Sequence, residues 1–231
     1  MNQERIKRYS RNGTTIDEAE QEILANSSVC VIGCGGIGGY LIEMLARAGI
    51  GRIKVIDGDV FEESNLNRQL LSSHGTIGKS KAEEAAERVH RINDLVNCIP
   101  VRQFADALNV KDLILGYDVV MDALDSITSR KIVASACQDS NIPYIFGAIA
   151  GWYGQVATIF PGDKSFLLLE AIDQEKGCEV RTGNPSFTPA CAASIQVSEC
   201  IKLLTNKGEL LRNRLLQIDL LTNEIELMEI K

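Results

Sequence analysis

Short, nearly continuous apolar runs recur along the chain, and stretches of helical period separate them. Ser28 to Ile32 reads as a buried strand and Arg52 to Ile56 as a second strand, with a helix over Tyr40 to Ala48 between them. Lys79 to Ile92 carries apolar residues on one helical face. Val96 to Val101 then reads as a strand, Val110 to Leu115 as a short helix and Asp118 to Met121 as a buried strand. Ser126 to Ser140 reads as a helix and Pro143 to Ile149 as a strand. The pattern changes after Gly151. Gly154 to Phe160 follows the preceding strand after a short turn, so that pair is expected to be antiparallel. Pro161 to Pro189 is loop-like, Ala190 to Leu204 is a helix, and Leu215 to Leu220 with Glu224 to Ile230 form a closing hairpin. Near the start, Thr15-Ile16-Asp17-Glu18 has the form of a capping box and opens a helix to about Ala25.

Alternating strands and helices predict an α/β fold: a Rossmann-like, doubly wound, mostly parallel sheet, here extended by antiparallel C-terminal strands. The whole span 1–231 is expected to be one domain, with a nucleotide-binding part over about 26–150 and a second part over about 151–231. The right-handed crossover rule puts the C-terminal ends of the parallel strands on one edge, where ligands bind such sheets.

Composition narrows the class. Hydrophobic residues are 45% and charged residues 24%, which fits a globular chain. A net charge of -7 argues against a nucleic-acid backbone as main partner. No apolar run is long enough to span a bilayer and the N-terminus lacks a signal-peptide core, so a cytoplasmic protein without a membrane partner is expected. The seven cysteines include no C-x-x-C pair, so reduced thiols are expected and a structural zinc is not.

The first strand runs directly into Gly33-Cys34-Gly35-Gly36-Ile37-Gly38-Gly39. Strand, glycines and helix in this order make a phosphate loop. Gly33 would allow the tight turn, Gly35 and Gly36 would let a phosphate approach bare backbone, and Gly38 would let the helix lie close. The helix N-terminus adds free N–H groups and a positive dipole end. Asp57 ends the second strand, where such folds hold a ribose. The stretch from Asp57 through Asp59 and Ser64-Asn65-Leu66-Asn67-Arg68-Gln69 to Lys81 exceeds what a nicotinamide cofactor needs. It suits a nucleoside triphosphate. Arg68 and Lys81 would screen a leaving pyrophosphate and Asn65 would bond a phosphate oxygen. Asp125, at a strand end, would hold Mg²⁺. Trp152 and Tyr153, at a turn, are read as packing residues.

These residues resemble the bacterial adenylyltransferases of the MoeB/ThiF type, relatives of ubiquitin-activating enzymes. The matches are Arg8-Tyr9-Ser10-Arg11, the glycine loop, Asp57-x-Asp59, Ser64-Asn65-Leu66-Asn67-Arg68-Gln69, Gly78-Lys79-Ser80-Lys81, Asp122-Ala123-Leu124-Asp125 and Gly154-Gln155-Val156. The resemblance implies a homodimer that uses ATP and Mg²⁺ to adenylate the C-terminal glycine of a small ubiquitin-fold sulfur carrier ending in Gly-Gly, releasing pyrophosphate. It implies that Gly33, Gly35, Gly36, Asp57, Asp59, Ser64, Asn65, Arg68, Lys81, Asp125 and Ser126 bind the nucleotide. Arg11 would be supplied to the partner subunit's site. Residues 151–231 would dock the carrier, with a crossover loop near 165–188 where Cys178 is a candidate nucleophile. Two departures stand out: Ser126 where the family often has Asn, and Ser165-Phe166-Leu167-Leu168-Leu169 where many members have their first zinc-binding cysteine pair. The same chemistry on a peptide or an RNA base, a non-catalytic nucleotide-binding relative, and a nicotinamide oxidoreductase stay open as alternatives.

Overall fold

A computed structural model describes residues 7–166 and 182–230. Its frame is one eight-stranded sheet in the order β3-β2-β1-β4-β5-β6-β7-β8. The strands are β1 Ser28–Ile32, β2 Arg52–Ile56, β3 Asn97–Val101, β4 Val119–Asp122, β5 Tyr144–Ala150, β6 Tyr153–Ile159, β7 Arg214–Asp219 and β8 Glu224–Glu229. Strands β3 to β5 in that order are parallel, and every pairing from β5·β6 onward is antiparallel. Every residue of β1 is buried, which is why it reads as an apolar run rather than an alternation. Ile32 pairs with Ile56 on one side and Asp122 on the other, so the ends of β1, β2 and β4 lie level.

Among the described residues the helices are α1 Glu18–Asn26, α2 Gly36–Ala48, α3 Lys81–Ile92, α4 Val110–Ile114, α5 Ile127–Asp139 and α6 Phe187–Thr205. One core lies between the sheet and α2, α3 and α6, with Val31, Leu41, Leu45, Val55, Val89 and Val197. A second lies on the other face against α4 and α5, with Ile32, Ile56, Ile114, Val120, Val133 and Tyr144. No described helix is long and apolar enough to cross a membrane.

Several helix starts differ from the sequence reading. The capping box belongs to Asp17 and Glu20, not to Thr15 and Glu18. Asp17 sits in the extended N-cap conformation with its carboxylate on the Glu20 N–H, and Glu20 bonds back at 2.9 Å. Helix α2 begins at Gly36 rather than Tyr40, because its glycines form the first turn despite their weak propensity. Helix α3 begins at Lys81, capped by the Ser80 hydroxyl. Helix α6 begins at Phe187, with Pro189 in its first turn where no N–H partner is required. Within the connection after β2, Glu63–Asn65 is a 3₁₀ turn. The far edge is β8, exposed along its whole length, with Ile225 at 67% and Leu227 at 48%.

Candidate active site

A cavity of about 590 Å³ opens where β1, β2 and β4 end. Strand order reverses between β1 and β4, so this is the switch point at which parallel sheets bind ligands. The glycine loop builds one wall by close contact. Gly33 has φ of +99°, and a Cβ there would lie 2.5 Å from the Ala123 carbonyl oxygen. A Cβ on Gly38 would lie 1.9 Å from the Gly33 carbonyl oxygen, so the helix packs on the loop only without a side chain. Gly35 and Gly36 differ: their nearest neighbours would be 3.5 and 3.8 Å away. Packing alone does not demand glycine there, and both bare backbones line the cavity.

The acids and cations follow from the strand ends. Asp57 accepts the Cys34 N–H at 2.7 Å and the Asp59 N–H at 2.8 Å, tying the glycine loop to β2. Lys81, buried at the head of α3, meets the Asp59 carboxylate at 3.2 Å. The lysine is therefore part of the wall, whereas Lys79 lies exposed beside Glu84. Arg68 donates through Nη1 to the Ser64 carbonyl and to Asn67 Oδ1, both at 2.9 Å, which presets the guanidinium at the cavity. Asp125 lines the cavity and is exposed.

The structure thus brings together Gly33, Gly35, Gly36, Asp57, Asp59, Arg68, Lys81, Asp125 and Ser126. Ser64 and Asn65 are not on the wall. The Asn65 Oδ1 accepts the Glu62 N–H at 3.0 Å and its Nδ2 donates to Ser64 at 3.3 Å, so it shapes the turn that carries Arg68. Arg11 is exposed in a 3₁₀ turn and does not reach the cavity of its own chain. Cys178 lies outside the described residues. Trp152 and Tyr153, read as packing residues, are 43% and 42% exposed; the Trp152 ring leans on Phe187 at a tilt of 41°, centroids 4.7 Å apart, on the surface. The short β5–β6 turn projects both beyond the core.

Four wall residues escaped the sequence reading as site residues. Arg130 of α5 pairs with the wholly buried Asp122 at 3.0 Å and donates to the Gly147 carbonyl. Burial pushes the Asp122 carboxyl above its ordinary range, against the pull of Arg130. Phe104 stands 65% exposed at the rim beside Gly58, where a Cβ would touch its ring at 2.7 Å. Gln69 and Asn184 also line the cavity, although their side-chain oxygens are sealed from it and have no hydrogen-bond partner. Gln69 lies within the motif around Arg68 and was legible by position; Arg130, Phe104 and Asn184 carry no local signal. Burial raises the Cys30 and Cys98 thiols to about 12 and pushes Cys34 and Cys200 up as well. These cysteines serve as core residues. Among the described residues no cluster of His, Cys, Asp or Glu could hold a metal ion by itself.

The ThiF family model matches residues 9–231. The SAMP-activating enzyme E1 of Haloferax volcanii is 37% identical over 220 residues, covering 93% of this chain and 81% of that protein. The probable adenylyltransferase/sulfurtransferase MoeZ of Mycobacterium tuberculosis is 32% identical over 235 residues, covering 96% of this chain but only 59% of its own length. A crystal structure of E. coli MccB with ATP superposes with a TM-score of 0.82 at 24% identity, covering 96% of this chain and 71% of that one.

Proposed function

The chain belongs to the ThiF family, and from that premise we propose that it is an ATP-dependent adenylyltransferase acting on the C-terminal carboxylate of a small ubiquitin-fold sulfur carrier ending in Gly-Gly. The observation that carries this reading is the cavity itself: bare glycine backbone, Arg68, Lys81 and the exposed Asp125 converge at the switch point of the sheet.

In this reading the nucleoside lies toward β2 and β3. Both Asp57 oxygens already hold backbone N–H groups, yet each keeps a lone pair for a ribose hydroxyl. Phe104 covers the base from the rim. The phosphates lie over Gly35 and Gly36 at the head of α2, whose N–H groups and dipole favour anions. The carrier carboxylate attacks the α-phosphorus, an acyl–phosphate bond forms, and pyrophosphate leaves with the electrons of the broken P–O bond. Arg68 and Lys81 stabilise the charge that grows on that leaving group. Asp125, an exposed carboxylate on the cavity wall, fits a hydrated Mg²⁺, which keeps several waters and needs few protein ligands. When bound, that ion would add further charge neutralisation at the phosphates. The step requires no cysteine. Arg11, exposed and off the wall of its own chain's cavity, suits donation to a second subunit in a homodimer.

ATP–pyrophosphate exchange tests the reading. Exchange should appear only with a ubiquitin-fold protein ending in Gly-Gly, and Arg68→Ala or Asp125→Ala should lower it about 10²–10³-fold with an unchanged circular dichroism spectrum. Exchange stimulated instead by a peptide carboxylate would redirect the substrate class, and none with any acceptor would refute adenylation.

A further inference from the structure

The arm that precedes α1 is fastened to the body far from the cavity. Its 3₁₀ helix, Ser10–Asn12, is a single turn, too short to hold its shape alone. Side chains hold it instead. Asn93, buried just past the end of α3, has every donor and acceptor of its amide engaged. Its Nδ2 donates to the Tyr9 hydroxyl at 2.8 Å and to the Ala46 carbonyl at 2.6 Å. Its Oδ1 accepts from Arg8 Nη1 and from the Leu95 N–H. Arg8 also pairs with Asp94 at 2.7 Å. Tyr9 fills the space beside Gly49, where a Cβ would lie 2.5 Å from the phenolic oxygen. Beyond Arg11, Asn12 donates to Gln21 Oε1 at 2.9 Å and Lys207 donates to the Thr15 carbonyl at 2.9 Å.

Arg11 sits between these ties and takes no part in them. Among the described residues its exposed guanidinium has no hydrogen bond and no ion pair. Carboxylates are plentiful on a chain with a net charge of -7, and Arg8, one turn earlier, meets one. An arm that needed only to be tied down would use both cations on its own chain. A rigid mount that leaves one arginine out suits an anion brought from elsewhere. The cavity of the same chain is too distant to supply it. The arm rests where α2 and α3 end, and both helices begin at the cavity, with Gly36 and Lys81. Their 13 and 12 residues set the arm about 20 and about 18 Å from those two residues, beyond the reach of one arginine side chain.

We propose that Asn93 is a positioning residue for the reaction of a second copy of this chain: through Tyr9 and Arg8 it fixes the turn that holds Arg11 out, preset to meet the phosphates in the partner's cavity. This rests on the adenylation reading above and on the supply of Arg11 across the dimer. It makes the tie at the end of α3 serve the partner's site rather than the site at the head of the same helix. A loosened tie lets Arg11 wander, and misplacing a charge by about 1 Å can cost up to about 10²-fold in rate.

The test is subunit complementation, read by ATP–pyrophosphate exchange with the full chain and a ubiquitin-fold carrier ending in Gly-Gly. Two variants cut the tie: Asn93→Ala, and the double variant Arg8→Ala with Tyr9→Phe, which removes the same bonds from the arm and leaves the buried amide in place. Each should lower exchange about tenfold. Each is then mixed, with subunit exchange, with Arg68→Ala or with Arg11→Ala. Mixing with Arg68→Ala should restore about a quarter of wild-type exchange, because the Arg68→Ala chain brings an intact arm to an intact site. Mixing with Arg11→Ala should leave exchange at or below a tenth. If Asn93 serves only the fold of its own chain, the pattern reverses: Arg11→Ala rescues and Arg68→Ala does not, and that result overturns the proposal. So does full activity in both tie variants. Should Asn93→Ala fail to fold, the double variant decides alone. If Arg11→Ala and Arg68→Ala do not rescue each other, the supply of Arg11 across the dimer falls and the proposal with it, while adenylation stands. Absence of exchange in the wild-type protein overturns the adenylation reading itself and both proposals built on it.

Discussion

Asp122 and Asp125, three positions apart at the end of β4, have opposite surroundings. Asp122 is fully buried against Arg130; Asp125 stands open at the cavity. Arg130→Met should cost about 3–5 kcal/mol in urea unfolding, since it leaves a buried carboxyl without its cation. Adding Asp122→Asn should restore part of that loss. Asp125→Asn should shift stability by no more than about 0.5 kcal/mol while removing pyrophosphate exchange. Asp125 was legible in the sequence because it follows an apolar run at a strand end. Arg130 was not. It sits among apolar helix positions, and its partner lies across a turn on another element. Asn65 shows the opposite limit: its motif marks the site, yet its side chain serves the turn rather than the cavity.

At the scale of elements, the strands were the most legible part, since β1 is an apolar run buried on both faces and β2 ends in the buried Val55 and Ile56. Helix starts were less so, because caps and tight glycine packing set them. Two connections between elements can be tested. Glu43 of α2 holds Arg88 of α3 at 2.8 Å and Arg47 one turn further along its own helix. Burial raises the Glu43 carboxyl, but Arg88 and Arg47 outweigh it and leave the group below its ordinary range. A lowered carboxylate stabilises the fold above its unfolded value and loses that contribution as pH falls through the folded one. Melting curves from pH 6 to pH 3 should therefore fall less steeply for Glu43→Gln than for the wild type, with a difference of about 1 kcal/mol or less because Arg88 is partly exposed. The second connection is Gln196 of α6, which donates to the Asp122 and Ile145 carbonyls and so ties that helix to β4 and β5. A Cβ on Gly147 would lie 2.3 Å from its side chain. Gly147→Ala should cost about 1–3 kcal/mol, measured by urea unfolding, through overpacking against that amide.

For the whole molecule, the proposal that Arg11 serves a second subunit can be tested, because Arg11 lies off the cavity of its own chain. Arg11→Ala and Arg68→Ala should each be inactive alone. Mixed and allowed to exchange subunits, they should regain about a quarter of wild-type exchange, because half the dimers are mixed and each has one intact site. No recovery would place Arg11 outside the partner's site.

Among the described residues strand β8 is the edge of the sheet, and both of its faces are open to water. Its sequence sets Glu224, Glu226 and Glu229 around Ile225, Leu227 and Met228. In colloidal terms these carboxylates are gatekeepers: an open edge with apolar side chains pairs readily with another edge unless charge keeps the two apart. Neutralising all three as Gln should leave the melting temperature almost unchanged, yet lower the concentration at which light scattering first detects association. On this account the acidity of the edge serves to keep one copy of the sheet from extending another.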